Sequence, residues 1–223
     1  DSDASGGSQI VATNSVNSGN NANWDFGEPV GLIGLWEFDG DATDSSGNAY
    51  HGTTVGDPVY TANHVVGSNA VELDGSDRIE VSRMVQGNFS IGFWLKTVQT
   101  GASGSGWADG TGLVDASAAG TDDFGLSLTG SSVSFGVGGA PDTTIASTST
   151  VNDGGWHHIA ASRNTAGVIR LYVDGSEEAS TTATVNSLDD SSIISIGSIR
   201  GGFNYLIGAI DDLRIYSTEL SSI

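Results

Sequence analysis

The octapeptide Phe89-Ser-Ile-Gly-Phe-Trp-Leu-Lys96 indicates the fold class, because its large apolar residues stand at every second position. An alternation with a period of two places one set of side chains on a single face of a β-strand. The apolar set consists of Phe89, Ile91, Phe93 and Leu95. Similar alternation recurs in Val168–Val173 and Ile207–Tyr216, so the sequence predicts β-strands rather than helices.

Shorter runs of strand-like composition occur along the rest of the chain. They predict strands at Gly34–Phe38, Ala70–Leu73, Arg78–Val81, Gly112–Asp115, Phe124–Leu128, Val133–Val137, Trp156–Arg163 and Ser192–Gly197. Turn signals separate these runs, and Val173-Asp-Gly-Ser176 predicts a tight hairpin of the Asp-Gly type. Many short strands without a convincing helix predict an all-β fold, a two-sheet antiparallel β-sandwich.

Residues 1–29 differ from the rest of the chain, since they are rich in Ser, Asn, Gly and Asp. Such a composition cannot bury enough apolar surface to fold alone. We therefore expect 1–29 to be a linker or the end of a preceding module, and 30–223 to form the β-sandwich domain. The opening residues Asp1 and Ser2 lack the Met and the basic region of a secretion signal, so we expect a mature piece of a larger multidomain chain.

The sequence of 223 residues is strongly acidic, with 7 Lys and Arg against 27 Asp and Glu and a formal net charge of −20 at pH 7. This charge repels phosphate backbones and anionic bilayers, so we expect no nucleic-acid partner. No apolar run approaches the roughly 18 residues of a membrane-spanning helix, and we expect no membrane insertion. The absence of cysteine excludes disulfides, zinc–thiolate sites and cysteine nucleophiles.

Six strings of sequence follow one another in a recognisable order. They are GLWEFDGDATDSSGNAYHG at 34–52, AVELDGSD at 70–77, FSIGFWLK at 89–96, GWHHIA at 155–160, RLYVDG at 170–175 and IGAIDDLRIY at 207–216. Together they resemble the bacterial laminin-G-like domains of the concanavalin A-like lectin/glucanase superfamily. The resemblance implies a jelly roll of the kind found in secreted and surface proteins. Members serve as carbohydrate-binding modules, adhesin domains or accessory modules of polysaccharide enzymes, so the fold does not decide among these functions.

A calcium ion is suggested by the loop Asp39–His51, which is dense in the oxygen ligands that calcium prefers. Strand parity places Asp211 in an inward row between Ala209 and Leu213, where an unpaired carboxylate would be costly to bury. A cation shared with the loop, Arg214 or a nest of backbone N–H groups would each offset that cost. The resemblance implies a structural calcium where the two segments meet, with Asp39, Asp44, Asn48 and Asp211 as ligands. The alternative is that these residues only form turns and caps.

A sugar-binding site needs an aromatic platform and a few planar polar groups. Trp107 stands alone in the Gly- and Ser-rich segment 100–112, outside any alternating run, and we expect its ring to be exposed. With the neighbouring loops it forms the candidate ligand set Trp107, Asp109, Asp123, Arg200 and Asn204. Trp94 and Tyr172 stand opposite the apolar rows of their strands, so they either line a sheet face or form a second packed layer.

The sequence contains no convincing catalytic motif. Concanavalin A-like glucanases use Glu-x-Asp-x-Glu on one strand, and the nearest match, Glu72-Leu-Asp-Gly-Ser76, lacks the final acid. We therefore expect a non-catalytic, lectin-like module of a secreted or cell-surface protein, with polysaccharide or cell-surface glycan as its partner. The alternative is a ligand-free spacer or a protein-binding adhesion module. An exposed Trp107 would favour sugar binding, and a buried Trp107 would favour the spacer.

Overall fold

The computed structural model describes residues 30–104, 106–117, 123–139, 142–189 and 191–220. Of residues 1–29 it describes four two-residue strands, Ser2–Asp3 (β1), Ile10–Val11 (β2), Asn21–Ala22 (β3) and Trp24–Asp25 (β4). Strand β1 pairs with β3 and β2 pairs with β4, both in parallel. The division of the chain at residue 29 stays a prediction.

The remaining strands form two large antiparallel sheets within the described residues, one of eight strands and one of seven. The eight-stranded sheet contains Leu32–Trp36 (β5), Val59–Thr61 (β7), Ala70–Asp74 (β8), Phe89–Lys96 (β10), Trp156–Arg163 (β15), Val168–Val173 (β16), Ser176–Thr182 (β17) and Ile207–Tyr216 (β19). The seven-stranded sheet contains Thr53–Val55 (β6), Arg78–Ser82 (β9), Thr111–Asp115 (β11), Phe124–Thr129 (β12), Ser132–Val137 (β13), Thr143–Ala146 (β14) and Ile193–Ile196 (β18).

The strand orders are β17-β16-β15-β10-β19-β8-β7 in the first sheet and β14-β13-β12-β11-β18-β9-β6 in the second. Strand β5 pairs with the second half of β19, beside β8, which pairs with its first half. The two-sheet antiparallel sandwich predicted from the sequence is confirmed. The predicted Asp-Gly hairpin joins β16 to β17, with positive φ at both Asp174 (51°) and Gly175 (78°), as a type I′ turn requires.

The core lies between the sheets and is built from the apolar rows of their strands. The four apolar residues of β10 are all inaccessible to solvent, and the Phe89 ring lies 4.5 Å from the ring of Phe124 in the other sheet. Each such side chain contributes about 1.5–3 kcal/mol through burial. The alternation seen in the sequence therefore reports directly which face of each strand contacts the opposite sheet.

Strand β19 contains a bulge that reverses its side-chain parity. Trp94 pairs with Asp211 but Gly92 pairs with Arg214, so β19 has one extra residue there, and Asp212 has a φ of 49°. Because cross-strand partners share a face, Asp211 lies on the outer face, the side of the sheet directed away from the core. The predicted inward position of Asp211 is wrong, since the alternation does not continue through the bulge.

Helical structure in the described residues is limited to the 3-10 turn Trp107–Asp109. None of the described helical segments is long and apolar enough to cross a membrane.

Candidate functional site

A groove of about 550 Å³ lies on the outer face of the eight-stranded sheet, over β10, β15 and β19. It is lined by Gly92, Trp94, His158, Asp174, Asp212, Arg214, Tyr216 and Leu220. Strand pairing brings these residues together. Trp94 on β10 is opposite His158 on β15, and Gly92 on β10 is opposite Arg214 on β19. Of the two roles left open for Trp94, the structure shows the first, a side chain that lines a sheet face.

The floor and one wall of the groove are shaped by Gly92 and two rings. The Trp94 and His158 rings are 5.2 Å apart with their planes at 63°. A Cβ at Gly92 would have His158 Nε2 as its nearest neighbour, at 3.6 Å, so the floor beside the rings is open. Such a surface can accept the apolar face of a flat ligand ring.

The opposite wall presents an ion pair. Arg214 Nε donates to Asp212 Oδ2 at 3.0 Å and Arg214 Nη2 donates to Asp212 Oδ1 at 3.1 Å. Burial lowers the pKa of Arg214, but the hydrogen bonds to Asp212 raise it by more, so this pKa lies above its ordinary value. The pair places hydrogen-bond donors and acceptors side by side without adding net charge to the groove.

Asp174 forms the end of the groove at the β16–β17 turn. Its Oδ1 accepts the His158 backbone N–H at 2.9 Å, and its Oδ2 lies 2.8 Å from His157 Nδ1. Burial lowers the pKa of His158 below its ordinary value, so the ring that contacts Trp94 is neutral at pH 7. His157 is held instead by Asp153 and Asp174.

Two of the predicted calcium ligands hold the same segment, residues 65–69. Asp211 is fully buried, and its Oδ2 accepts the N–H groups of Val65 at 2.6 Å and Val66 at 2.9 Å. Asp39 Oδ1 accepts the N–H groups of Ser68 and Asn69. Burial raises the pKa of Asp211, and the two N–H groups oppose that rise. The backbone nest considered from the sequence is thus present, although Asp211 Oδ1 has no hydrogen-bond partner.

The other two predicted ligands serve their own loop. Asp44 Oδ1 accepts the N–H groups of Leu35 and Ser46, and Oδ2 accepts the Tyr50 N–H and the Ser46 hydroxyl. Asn48 Nδ2 donates to the Ile33 carbonyl. Among the described residues, the acidic groups close enough to share one metal ion are Asp57, Asp74 and Asp77. The predicted ligands Asp39, Asp44 and Asp211 are not in this group, both oxygens of Asp44 already accept hydrogen bonds, and the calcium site stays a prediction.

The expectation that Trp107 is exposed is wrong, since only 1% of the residue is accessible. Its ring lies on the outer face of the seven-stranded sheet, over two glycines that pair with each other, Gly125 and Gly136. A Cβ at Gly136 would lie 1.9 Å from Trp107 Cε3, so the ring occupies the space where side chains are missing. The sequence gives no signal for this contact, because glycine in a strand indicates a close approach but not its partner.

The remaining candidate ligand residues are divided between the surface and the interior. Asp109 and Asn204 meet, since Asn204 Nδ2 donates to the backbone oxygens of Asp109 and Gly110, both at 3.0 Å. Arg200 is exposed, and its backbone N–H donates to Asp115 Oδ2 at 2.8 Å. Asp123 is buried, and its carbonyl accepts the Gly138 N–H. The assignment of the five residues to a ligand site stays a prediction.

The groove itself could have been found from the sequence only in part. The parity of Trp94 and its place beside Gly92 on one strand face were visible. The contributions of Asp212 and Arg214 were not, because they depend on the bulge in β19.

A family model described as "Concanavalin A-like lectin/glucanases superfamily" matches residues 67–222, which is more than half of the chain. No curated protein matches the sequence. Among solved structures, domain 4 of AbnA, a GH43 extracellular arabinanase from Geobacillus stearothermophilus in complex with arabinotriose, is 22% identical with a TM-score of 0.71. That similarity covers 87% of this chain and 96% of the arabinanase domain.

Toxin domains have the same fold. The binding domain of Paraclostridial Mosquitocidal Protein 1 is 17% identical, with a TM-score of 0.69 and coverage of 86% of this chain and 50% of that one. Botulinum neurotoxin type C, whose cell entry depends on interaction with two ganglioside molecules, is 15% identical, with a TM-score of 0.67 and coverage of 86% and 49%. The chain thus spans about half the length of these toxin chains.

Proposed function

Because this chain belongs to the concanavalin A-like lectin/glucanase superfamily, we propose that it is a non-catalytic module that binds carbohydrate in the groove over β10, β15 and β19. The observation that carries the proposal is the combination of the Trp94 and His158 rings with the Asp212–Arg214 ion pair. The rings offer a stacking surface for a sugar, and the ion pair offers donors and acceptors for adjacent hydroxyls.

A neutral glycan suits this groove better than an anionic one. Arg214 is already paired with Asp212, the nearby Asp174 is acidic, and the whole chain has a net charge of −20. A sulfate, phosphate or carboxylate on the ligand would meet an excess of negative charge. The arabinotriose bound by the arabinanase domain, a neutral glycan, supports such a partner. We also propose that the module acts outside the cell, as part of a larger protein.

Binding to arabinotriose and to an array of neutral glycans tests the groove. We expect Trp94→Ala to weaken binding by at least about tenfold, because the stacking surface is lost. Phe203→Ala is a matched control, since it removes an aromatic ring that is 66% exposed and lies outside the groove. If the parent protein binds no glycan, or if both variants bind like the parent, the groove is not a sugar site.

The second candidate function is a ligand-free spacer or a protein-binding adhesion module. The burial of Trp107 favours it, because the aromatic ring expected to contact sugar is not accessible. A parent protein that binds no glycan on the array would support this alternative.

A structural calcium at Asp39 and Asp211 is a further part of the proposal. The fully buried Asp211 Oδ1 lacks a partner, and both carboxylates flank residues 65–69, so a cation there would offset charge and stabilise the segment. Calcium at a hundredfold excess over Kd should stabilise the fold by about 2.7 kcal/mol, or about 5–10 °C in Tm. Asp211→Asn should abolish the response to calcium and chelator, and Asp41→Asn in the neighbouring loop should retain it. An unchanged parent Tm with and without chelator would contradict the site.

A further inference from the structure

Among the described residues, three buried polar atoms on the outer face of the seven-stranded sheet have no hydrogen-bond partner: Trp107 Nε1, Asp115 Oδ1 and Ser127 Oγ. At most 2% of each of these residues is accessible. Native interiors leave few such groups unsatisfied, and each one costs free energy. Three together therefore call for a physical explanation.

The first two atoms border the same point in space. Asp115 pairs with Gly125 across β11 and β12. A Cβ at Gly125 would lie 2.4 Å from Asp115 Oδ1 and 2.8 Å from Trp107 Nε1. An acceptor and a donor that have no partner among the described residues thus both lie next to a position without a side chain.

The third atom lies further along the same face. Ser127 is two residues after Gly125 in β12, and two residues along a strand share a face. A Cβ at Gly110 would lie 2.5 Å from Ser127 Oγ, so the turn 106–110 covers the hydroxyl as it covers the carboxylate. The covered area therefore contains a hydroxyl, a carboxylate oxygen and a bare backbone floor under an indole ring.

The turn is held down from outside by Asn204. This exposed residue donates from Nδ2 to the carbonyls of Asp109 and Gly110, and its own carbonyl accepts the Gly112 N–H at 2.9 Å. Gly104 precedes the turn, and a Cβ there would lie 2.0 Å from Asp109 Cβ, so a glycine lets the chain pack closely against the turn. Asn204 thus holds the turn at its surface, while the buried Trp107 ring and the hydrogen bond from the Trp107 N–H to Thr144 Oγ1 hold it from below.

We propose that the turn 106–110 is the closed lid of a second sugar subsite, on the sheet opposite the groove. When the turn lifts, the Trp107 ring becomes a stacking surface for one neutral sugar residue. Asp115 Oδ1 then accepts a hydrogen bond from a sugar hydroxyl, and the Ser127 hydroxyl donates one to or accepts one from another. In the closed state Trp107 occupies the place of that residue. The subsite shares with the proposed function only the class of ligand, because it contains none of the groove residues.

Hydrogen exchange of the turn tests the lid without any ligand. Asn204→Gly removes the two side-chain hydrogen bonds, and glycine tolerates the φ of 45° at this position. We expect the amides of residues 109–112 to exchange about tenfold faster, while Tm changes little. Ala49→Gly is a matched control, because it also replaces an exposed residue with positive φ, at 61°, in a distant loop. Unchanged exchange in Asn204→Gly would overturn the lid.

Binding measured in the Trp94→Ala background separates this subsite from the groove. The probes are arabinotriose and the array of neutral glycans. Adding Asn204→Gly should tighten binding by about tenfold, because the open state is more populated. Adding Ser127→Ala should then weaken it by about fivefold, although the closed fold loses no hydrogen bond.

The outcomes are distinct for the two proposals. Loss of all glycan binding in Trp94→Ala that Asn204→Gly does not restore overturns the subsite and leaves the groove intact. Faster exchange without new binding also overturns it, since the turn would then be only a structural plug over trapped water. Binding that ignores Trp94→Ala but responds to Asn204→Gly and Ser127→Ala supports the subsite and contradicts the groove.

Discussion

Several aspartates in this protein accept hydrogen bonds from backbone N–H groups. Asp39 accepts the N–H groups of Ser68 and Asn69, which lower its pKa, and Asp211 accepts those of Val65 and Val66. Asp44 does the same within its own loop, where its hydrogen bonds outweigh burial and lower its pKa. These carboxylates thus hold loops in place through backbone hydrogen bonds, which accounts for part of the acidic composition.

For single residues, the sequence shows which polar side chains are present but not which groups form hydrogen bonds with them. It predicts that Asp39 and Asp44 stand in an irregular loop, and the structure agrees. A carboxylate oxygen accepts an N–H group as readily as it binds calcium, and the donor for Asp211 comes from a segment 145 or 146 residues away. The burial of Trp107 escaped prediction for the same reason, since its neighbours are glycines on other strands.

Glu178 makes a testable contribution to stability at low pH. Hydrogen bonds from the hydroxyls and N–H groups of Thr148 and Ser149 lower its pKa from 4.5 to about 2. A carboxyl group whose pKa is lower in the folded than in the unfolded state stabilises the fold fully above pH 4.5. This contribution to the free energy of unfolding is lost as the pH falls towards 2. We expect Glu178→Gln to cost about 1.5 kcal/mol at pH 7 and almost nothing near pH 2. Urea unfolding across this pH range measures the difference.

Glu177→Gln is the control for that measurement, because Glu177 is the exposed neighbour and its nearest cation, Arg170, is 3.6 Å away. Its cost should be small and should vary little with pH. A Glu178→Gln penalty that is the same at pH 2 and pH 7 would contradict the assignment of the low pKa.

At the scale of elements, the central strands follow from the sequence and the edge strands do not. Alternation predicts the bounds of β10, β16 and β19 to the residue, and strand-like composition predicts those of β15. In the two large sheets, the described strands without a predicted counterpart are β6, β7, β14 and β17, which occupy the ends of these sheets. An edge strand has a neighbour on one side only and is often polar, as Ser176–Thr182 is, so it has no apolar row to detect.

The bulge in β19 gives a prediction for one strand. Asp212 has a φ of 49°, a conformation that Asn and Asp adopt with little strain and that β-branched residues avoid. Asp212→Asn should therefore keep the fold while it removes the charge that pairs with Arg214. Asp212→Val should cost at least about 1–2 kcal/mol more, because it adds backbone strain to the same loss. Thermal unfolding compares the two, and equal stability would show that the bulge relaxes when Asp212 is replaced.

At the scale of the whole molecule, the two-sheet jelly roll follows from the order of the six strings, and the family model matches residues 67–222. The structure shows that the fold also uses residues before that match. Strand β5 pairs with β19 from Leu32 to Trp36, and Trp36 and Phe38 have at most 1% of their surface accessible. The matched segment is therefore shorter than the unit that shares one core.

Truncation tests where this unit begins. A chain of residues 30–223 should unfold cooperatively with nearly the Tm of the full chain, because residues 1–29 are too polar to supply a core. A chain of residues 67–223 should not fold, since losing Trp36 and Phe38 alone would cost about 3–5 kcal/mol each, against a typical total stability of about 5–15 kcal/mol. Circular dichroism and proton NMR dispersion distinguish the cases. A folded 67–223 chain would show that β5 is dispensable, and a less stable 30–223 chain would place residues 1–29 inside the domain.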